Sequence, residues 1–303
     1  MAAHPYIPAM RWSISLLILI LPAGAIAADA PRATQALTYR AYVAGMPVFN
    51  LDVDLELQPD RYRVDLASRT TGMYGVLFRG ETQTVAQGSW AGNMPLPQRY
   101  AIAGHWRGTP RRTLMDYAAG IPSILHMEPP NEAERELVPP DQQRGTVDTV
   151  SAAAMLVRQV TTTRSCDGAA RTFDGRRLTE ISVQSAGWEA LPSTSRSSYA
   201  GPALRCDFEG QLIAGFLLNS DRGIAAKPQR GTAWLASALP GGPMVPVRLT
   251  FDIRWFGHAT MYLTSAQSGG PPLVPARADV ANGAAPLRAA SAPPTLAPAG
   301  PAR

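Results

Sequence analysis

The stretch Leu51-Asp52-Val53-Asp54-Leu55-Glu56-Leu57-Gln58 alternates apolar and polar side chains without a break. Successive side chains of an extended chain point to opposite faces, so the four apolar residues share one face and the polar ones the other. Such alternation predicts a strand with one side on a core. Pro59-Asp60 interrupts the pattern, which resumes with Tyr62, Val64 and Leu66 against Arg61, Arg63 and Asp65. Proline does not reach the positive φ of a tight hairpin turn, so residues 58–61 are predicted as a type I turn. Closure on Leu57 and Tyr62 sets Leu55 opposite Val64 and Val53 opposite Leu66. It also sets Glu56 opposite Arg63, which is favourable, and Asp54 opposite Asp65, which is not. The apolar pairs dictate the register, because a slip of one residue exposes them all.

Working outward, shorter runs of this kind cover residues 37–43, 76–85, 98–106, 111–117, 123–127, 177–183, 197–208, 212–218, 245–255 and 258–263. Turn sequences such as Gly45-Met46-Pro47, Gly92-Asn93, Asp174-Gly175 and Gly241-Gly242-Pro243 separate them. About a dozen short strands predict a mainly β fold, a strongly curved antiparallel sheet or incomplete β-barrel. One helix is predicted over 148–160, capped by Thr146 or Asp148, with Val147, Val150, Ala154 and Val157 on one face. Its run of Ser151 and three alanines makes it slim enough to lie in the concave side of the sheet. A second helix is predicted over 232–239.

The N-terminus reads Arg11-Trp12-Ser13, an apolar run broken only by Ser15, and then Pro22-Ala23-Gly24-Ala25-Ile26-Ala27. A basic start, a short apolar core and a small-x-small site make a secretory signal peptide, with cleavage predicted after Ala27. The apolar core is shorter than the roughly 20 residues of a spanning helix; an uncleaved anchor is the alternative. From Gln267 onward, 23 of 37 residues are Ala, Pro or Gly, a composition that cannot bury a core. The expected organisation is a signal peptide over 1–27, a β-rich globular domain over 36–265 and a disordered Pro/Ala-rich tail over 266–303. The expected location is the periplasm, with no transmembrane span after cleavage.

Apolar residues make up 46% of the chain and charged ones 17%, with net charge +5. Arginine supplies nearly all the positive charge, since Lys227 is the single lysine, and the arginines are scattered rather than striped. Nucleic acid is therefore not an expected partner. An even pair of cysteines in an exported chain, Cys166 and Cys206, reads as a disulfide; two separate buried thiols are the alternative.

Little chemistry is written in motifs. His105, His126 and His258 lie far apart, and no HExxH, CxxC, GxSxG or phosphate loop occurs. No metal, cofactor or catalytic residue is predicted, and an enzyme is not expected. Asp52, Asp54 and Glu56 lie about 6.5–7 Å apart along a strand, the separation of an inverting glycosidase pair. Any alternating acidic strand does the same, so a solvent-facing row is the preferred reading. A hydrolase would require two of Asp52, Asp54, His105 and His126 to converge. Phe173-Asp174-Gly175-Arg176-Arg177 is the most distinctive string. Asp-Gly makes a tight turn, and Arg176 and Arg177 are the candidate ligand-binding pair for a carboxylate or phosphate. The plainer alternative is a hairpin whose arginines sit on a solvated edge or pair with Glu180. The segment 127–145, framed by Pro129-Pro130 and Pro139-Pro140, carries Glu128, Glu132, Glu134, Glu136 and Asp141. A loop this long is functional or disordered, and it is the candidate lid.

Tyr39, Gly45-Met46-Pro47-Val48, Tyr62, Thr71-Gly72, Gly88, Pro97 to Tyr100, Asp148-x-x-Ser151, Phe173 to Arg177, Cys206 and Ala214-Gly215-Phe216 follow one another in a fixed order. In order and spacing they resemble the exported domain-of-unknown-function family 3108 of Gram-negative bacteria, over roughly residues 37–263. The resemblance implies an exported, antiparallel β-rich envelope protein, and it brings no activity or catalytic residue. A broader likeness to the open β-barrels of lipoprotein carriers is one of fold, which does not settle function. Two functions are expected. The first is a non-enzymatic module holding an apolar ligand, a lipid or acyl chain, in the concavity. The alternative is a structural or assembly factor of the envelope, with a packed interior and a protein partner.

Overall fold

β1 (Thr34–Val43), β2 (Met46–Leu57) and β3 (Arg61–Thr70) carry the deciding hairpin in a computed structural model that describes residues 34–253 and 257–269. β2 and β3 pair antiparallel with Leu57 on Tyr62, Leu55 on Val64, Val53 on Leu66 and Asp54 on Asp65, the register that the apolar alternation dictates. Val53, Leu55, Tyr62 and Val64 are buried in the core. The opposite face departs from expectation, because Asp54 and Asp65 are only 4% and 3% exposed. Arg63 reaches along its own strand to Asp65, with Nε at 2.7 Å and Nη2 at 2.8 Å from the two carboxylate oxygens. That bidentate pairing offsets the burial of one carboxylate beside another.

After β3 come α1 (Gly72–Leu77), β4 (Gly80–Ala91), β5 (Met94–Trp106), β6 (Thr109–Ala118) and β7 (Ile121–Glu128). A segment with the short α2 (Pro140–Gln143) leads to α3 (Thr149–Thr163). Then follow β8 (Gly168–Phe173), β9 (Leu178–Leu191), β10 (Gly201–Ala214), α4 (Arg222–Ala225), β11 (Gln229–Ser237), β12 (Met244–Ile253) and β13 (Gly257–Ser268). All strands form one antiparallel sheet in the order β7-β6-β5-β4-β3-β2-β1-β13-β12-β11-β10-β9-β8. The first and last strands pair in its middle, and the edges β7 and β8 are consecutive in the chain.

The sheet curls. Phe173 of β8 lies in one buried cluster with Ala86, Tyr100 and Met115 of β4, β5 and β6, although these strands stand far apart in the strand order. Only a sheet bent toward itself brings them together, and strand twist accumulated over many strands supplies the bend. The edges face each other without pairing, so the barrel stays incomplete.

α3 packs in the concavity. Ala154 and Val157 pack among Leu37, Val53, Val64, Val245 and Leu263, while Val160 packs with Leu204, Leu235 and Met244. Asp148 caps the helix, its Oδ1 accepting from Ser151 N at 2.8 Å. The C-terminal half points to the β2–β3 turn: Arg158 Nη1 donates to Gln58 O at 3.1 Å, and Thr161 Oγ1 accepts from Met244 N at 2.8 Å.

Some expectations fail. Residues 232–239 form no helix and instead supply most of β11, with Ala233 and Leu235 inward between β10 and β12. The open ladder positions of two neighbours outweigh alanine's helix preference. The run 212–218 is the end of β10 and an irregular connection, and 76–85 opens with α1. Cys166 and Cys206 stand at bonding distance, Cα to Cα 6.1 Å, linking the α3–β8 connection to β10. The predicted leader over 1–27 lies outside the described residues. So does the tail from 270 onward, while the sheet itself runs to Ser268.

Candidate functional site

Strand register places α1, the β5–β6 turn, the end of β7, the β8–β9 turn and the β10–β11 connection at one end of the sheet. This is the end that α3 leaves open. A cleft of about 1000 Å³ lies there, floored by Thr82, Thr84, Ile102, Trp106 and Thr113. Its walls come from residues 133–135, the turn 174–177 and residues 217–219.

The β8–β9 turn is built by its own aspartate. Asp174 Oδ1 accepts from the backbone N–H of Arg176 at 2.9 Å and of Arg177 at 2.8 Å. Its Oδ2 takes the Arg177 fork, Nε at 2.9 Å and Nη2 at 2.7 Å. Burial alone would push this carboxyl up, but the Arg177 guanidinium and the hydrogen bonds hold it below the ordinary range. Gly175 turns with φ +88°, and a Cβ there would stand 2.8 Å from Met127 Cε. Gly215 has φ +81° and would place a Cβ 2.1 Å from the Arg176 carbonyl oxygen. No larger residue fits the second position, so the β10–β11 connection lies flush against the turn.

Arg176 projects from this turn into the cleft with its side chain 13% exposed. Nη2 donates to Pro129 O at 2.8 Å. Nη1 is buried without a hydrogen bond, 3.5 Å from Glu134 Oε2. Glu134 accepts its short bond from Arg111 Nη1 at 2.5 Å instead, and that bond holds its carboxyl below the usual range. Arg135 Nη1 donates to Gly215 O at 2.8 Å. Along the lining five arginines (Arg111, Arg112, Arg135, Arg176 and Arg177) face two acids, Glu134 and Asp174. Burial, with the neighbouring arginines adding to it, lowers the pKa of Arg135 and of Arg176. Guanidinium stays charged regardless, so the cleft concentrates positive charge beside the apolar Ile102, Trp106, Leu217 and Leu218.

A family model described as "Protein of unknown function (DUF3108)" matches residues 38–264. The chain belongs to this family. Among solved structures, the DUF3108 chain is similar to a beta-barrel-like protein of domain of unknown function DUF1849 from Brucella abortus. That likeness has a TM-score of 0.45 and 10% identity, and it covers 79% of this chain and 99% of the other. No curated protein matches.

In the DUF3108 chain two groups of the quoted sequence elements come together in space. Phe173 to Arg177 form the cleft's turn. Tyr62, Asp148 and Ser151 meet under α3, where Tyr62 Oη donates to Ser151 Oγ at 2.7 Å and Ser151 Oγ donates to Asp148 Oδ2 at 2.5 Å. Burial pushes the Asp148 carboxyl up to about 6, against the hydrogen bonds from Ser151. Asp148 and Ser151 are fully buried, so the triplet anchors the helix and touches no solvent-borne molecule.

Both sequence candidates, Arg176 and Arg177, line the cleft. Neither pairs with Glu180, which meets Arg171 at 3.3 Å. Arg111 and Arg135 escaped sequence reading because they come from a strand and a loop with no local signal. The acidic segment is strapped down: Arg135 bridges Leu217, Glu136 N donates to Phe216 O at 2.9 Å, and Glu136 pairs with Arg222 at 2.6 Å. Asp52 and Asp54 sit on β2, His105 on β5 and His126 on β7, and none of them lines the cleft. Among the described residues no cluster of three or more His, Cys, Asp or Glu is placed to hold a metal.

Proposed function

We propose that this chain is a non-enzymatic binding module of the cell envelope whose cleft takes an amphiphile, its anionic end on the arginines and its acyl part on the apolar wall. The observation that carries the reading is the cleft's lining, where Arg111, Arg112, Arg135, Arg176 and Arg177 outnumber Glu134 and Asp174 beside an apolar wall. A guanidinium edge receives a carboxylate or phosphate oxygen. A cleft of about 1000 Å³ is at the upper end of ordinary ligand sites. The ligand belongs in the end that α3 leaves open rather than beside the helix, whose inward residues pack in buried clusters. The leader sequence and the cysteine pair support an exported location.

Calorimetric titration of the purified chain with dodecyl phosphate and with dodecanoate tests this. One ligand per chain is expected, with affinity reduced at least tenfold by Arg176→Met. No binding, or binding indifferent to Arg176, would overturn it. The packed interior around α3 together with exposed apolar residues on α1 favours a second reading, a structural or assembly factor. It predicts recovery of one defined envelope protein bound to the chain and no lipid.

A further inference from the structure

We infer that α1 and the β5–β6 turn form a docking surface for an anionic lipid bilayer. This goes beyond the cleft's ligand and does not depend on it. α1 has no buried residue, and Met73, Val76 and Leu77 are 72%, 79% and 67% exposed. Met46, beside it at the start of β2, is 58% exposed. The two elements touch, since a Cβ on Gly72 would lie 2.6 Å from Pro47 O. Contiguous large apolar side chains at a loop tip mark a contact surface rather than ordinary solvent-facing chain.

The tip is held rigidly. Tyr74 and Phe78 stack with ring centroids 4.9 Å apart, and the Arg107 guanidinium lies 5.4 Å over the Phe78 ring. Arg107 N donates to Arg79 O at 2.8 Å, binding the β5–β6 turn to the exit of α1. The apolar knob therefore stands out from a fixed base.

Charge selects the occupant. Arg79 and Arg107 are both exposed at the base of the knob. The nearby acid on β4, Glu81, faces Arg69 across the β3–β4 ladder. Apolar side chains that enter the acyl boundary, with arginines level with the phosphates, suit an anionic interface. A second copy meeting the same patch about a two-fold axis would bring arginine toward arginine. Trp106, which lines the cleft, pairs with Gly80 just beyond α1. Docking thus brings the cleft's end of the sheet to the lipid surface.

The test uses the full chain as purified after expression, with its N-terminus read by intact mass. Met73→Cys provides one unpaired thiol for an environment-sensitive dye, which reports on position 73 alone. Vesicles of phosphatidylcholine are compared with vesicles of phosphatidylcholine and phosphatidylglycerol in equal parts. A blue shift is expected with the anionic vesicles and a much weaker one with the neutral ones. Arg79→Gln and Arg107→Gln should each weaken partitioning about fivefold, and Val76→Asp should abolish the shift. Far-UV circular dichroism checks that each variant folds. An unchanged emission, an equal shift on both vesicles, or a shift that grows with protein concentration without lipid would overturn the inference, the last pointing to self-association. Dodecyl phosphate binding, measured without vesicles, fails or succeeds separately.

Discussion

Tyr62 of β3 and Ser151 of α3, 89 residues apart, share a buried 2.7 Å hydrogen bond that ties the helix to the sheet. Ser151 in turn donates to Asp148, which caps the same helix. One chain of bonds thus sets both where α3 begins and which strand it leans on. Gly88 leaves the room for it, because a Cβ there would stand 2.8 Å from the Tyr62 hydroxyl.

Tyr62→Phe should cost about 1 kcal/mol, the net value of one hydrogen bond. Ser151→Ala should cost about 2 kcal/mol, because it strands the buried Tyr62 hydroxyl. Urea unfolding of both single variants and the double variant gives the coupling. A coupling near zero would mean that the bond does not hold the helix.

Asp148 gives a pH signature. Its folded pKa of about 6 lies above the ordinary 3.8, so between those values the folded protein keeps a proton that the unfolded chain has released. The stability contributed by that proton is complete below about pH 4 and is lost as pH rises to about 6, to the extent of about 3 kcal/mol. Carboxylates held low, such as Glu134 and Asp174, act with the opposite sign. The difference between the parent and Asp148→Asn isolates the effect. From pH 4 to pH 7 the parent should lose about 3 kcal/mol relative to Asp148→Asn, its urea midpoint falling relative to the variant's, and a pH-independent difference would refute it.

The Cys166–Cys206 bridge closes a loop of sequence separation 40. Replacing both cysteines with serine should lower stability by about 3–4 kcal/mol on the chain-entropy model. Guanidinium denaturation of this variant against the oxidised parent measures the loss, and a dithiothreitol-treated parent should match the variant.

Gly215→Ala should be costly and should act on the cleft. It puts a side chain on a left-handed residue and a methyl 2.1 Å from the Arg176 carbonyl. A loss of about 2–4 kcal/mol is expected, together with weaker dodecyl phosphate binding because Arg176 shifts. Calorimetry reads both quantities. Unchanged stability would show that the turn does not rest on Gly215.

Local patterning was enough for the strands whose two faces differ. The hairpin of β2 and β3 follows from Leu51 to Leu66 down to each cross-strand pair, because period two leaves one register that buries the apolar set. The cap of α3 is legible to within two residues, Thr146 or Asp148, and the structure selects Asp148, whose carboxylate meets the Ser151 N–H. β11 was not legible, because Ala233 to Ala236 suit a helix as well as a strand and only the ladders of β10 and β12 choose between them. The burial of Asp54 and Asp65 on the polar face was equally hidden.

The cleft divides in the same way. Sequence alone marks Asp174-Gly175 as a turn and the two arginines beyond it as candidates, because that geometry lies within a few bonds. It also predicts a curved sheet with a slim helix in its concave side. Only the tertiary structure brings Arg111 from β6, Arg135 from the strap and Arg176 from the β8–β9 turn to one cleft. Their meeting depends on how far the sheet curls, and curl is the summed twist of many strand pairs, a property that no local stretch of sequence carries.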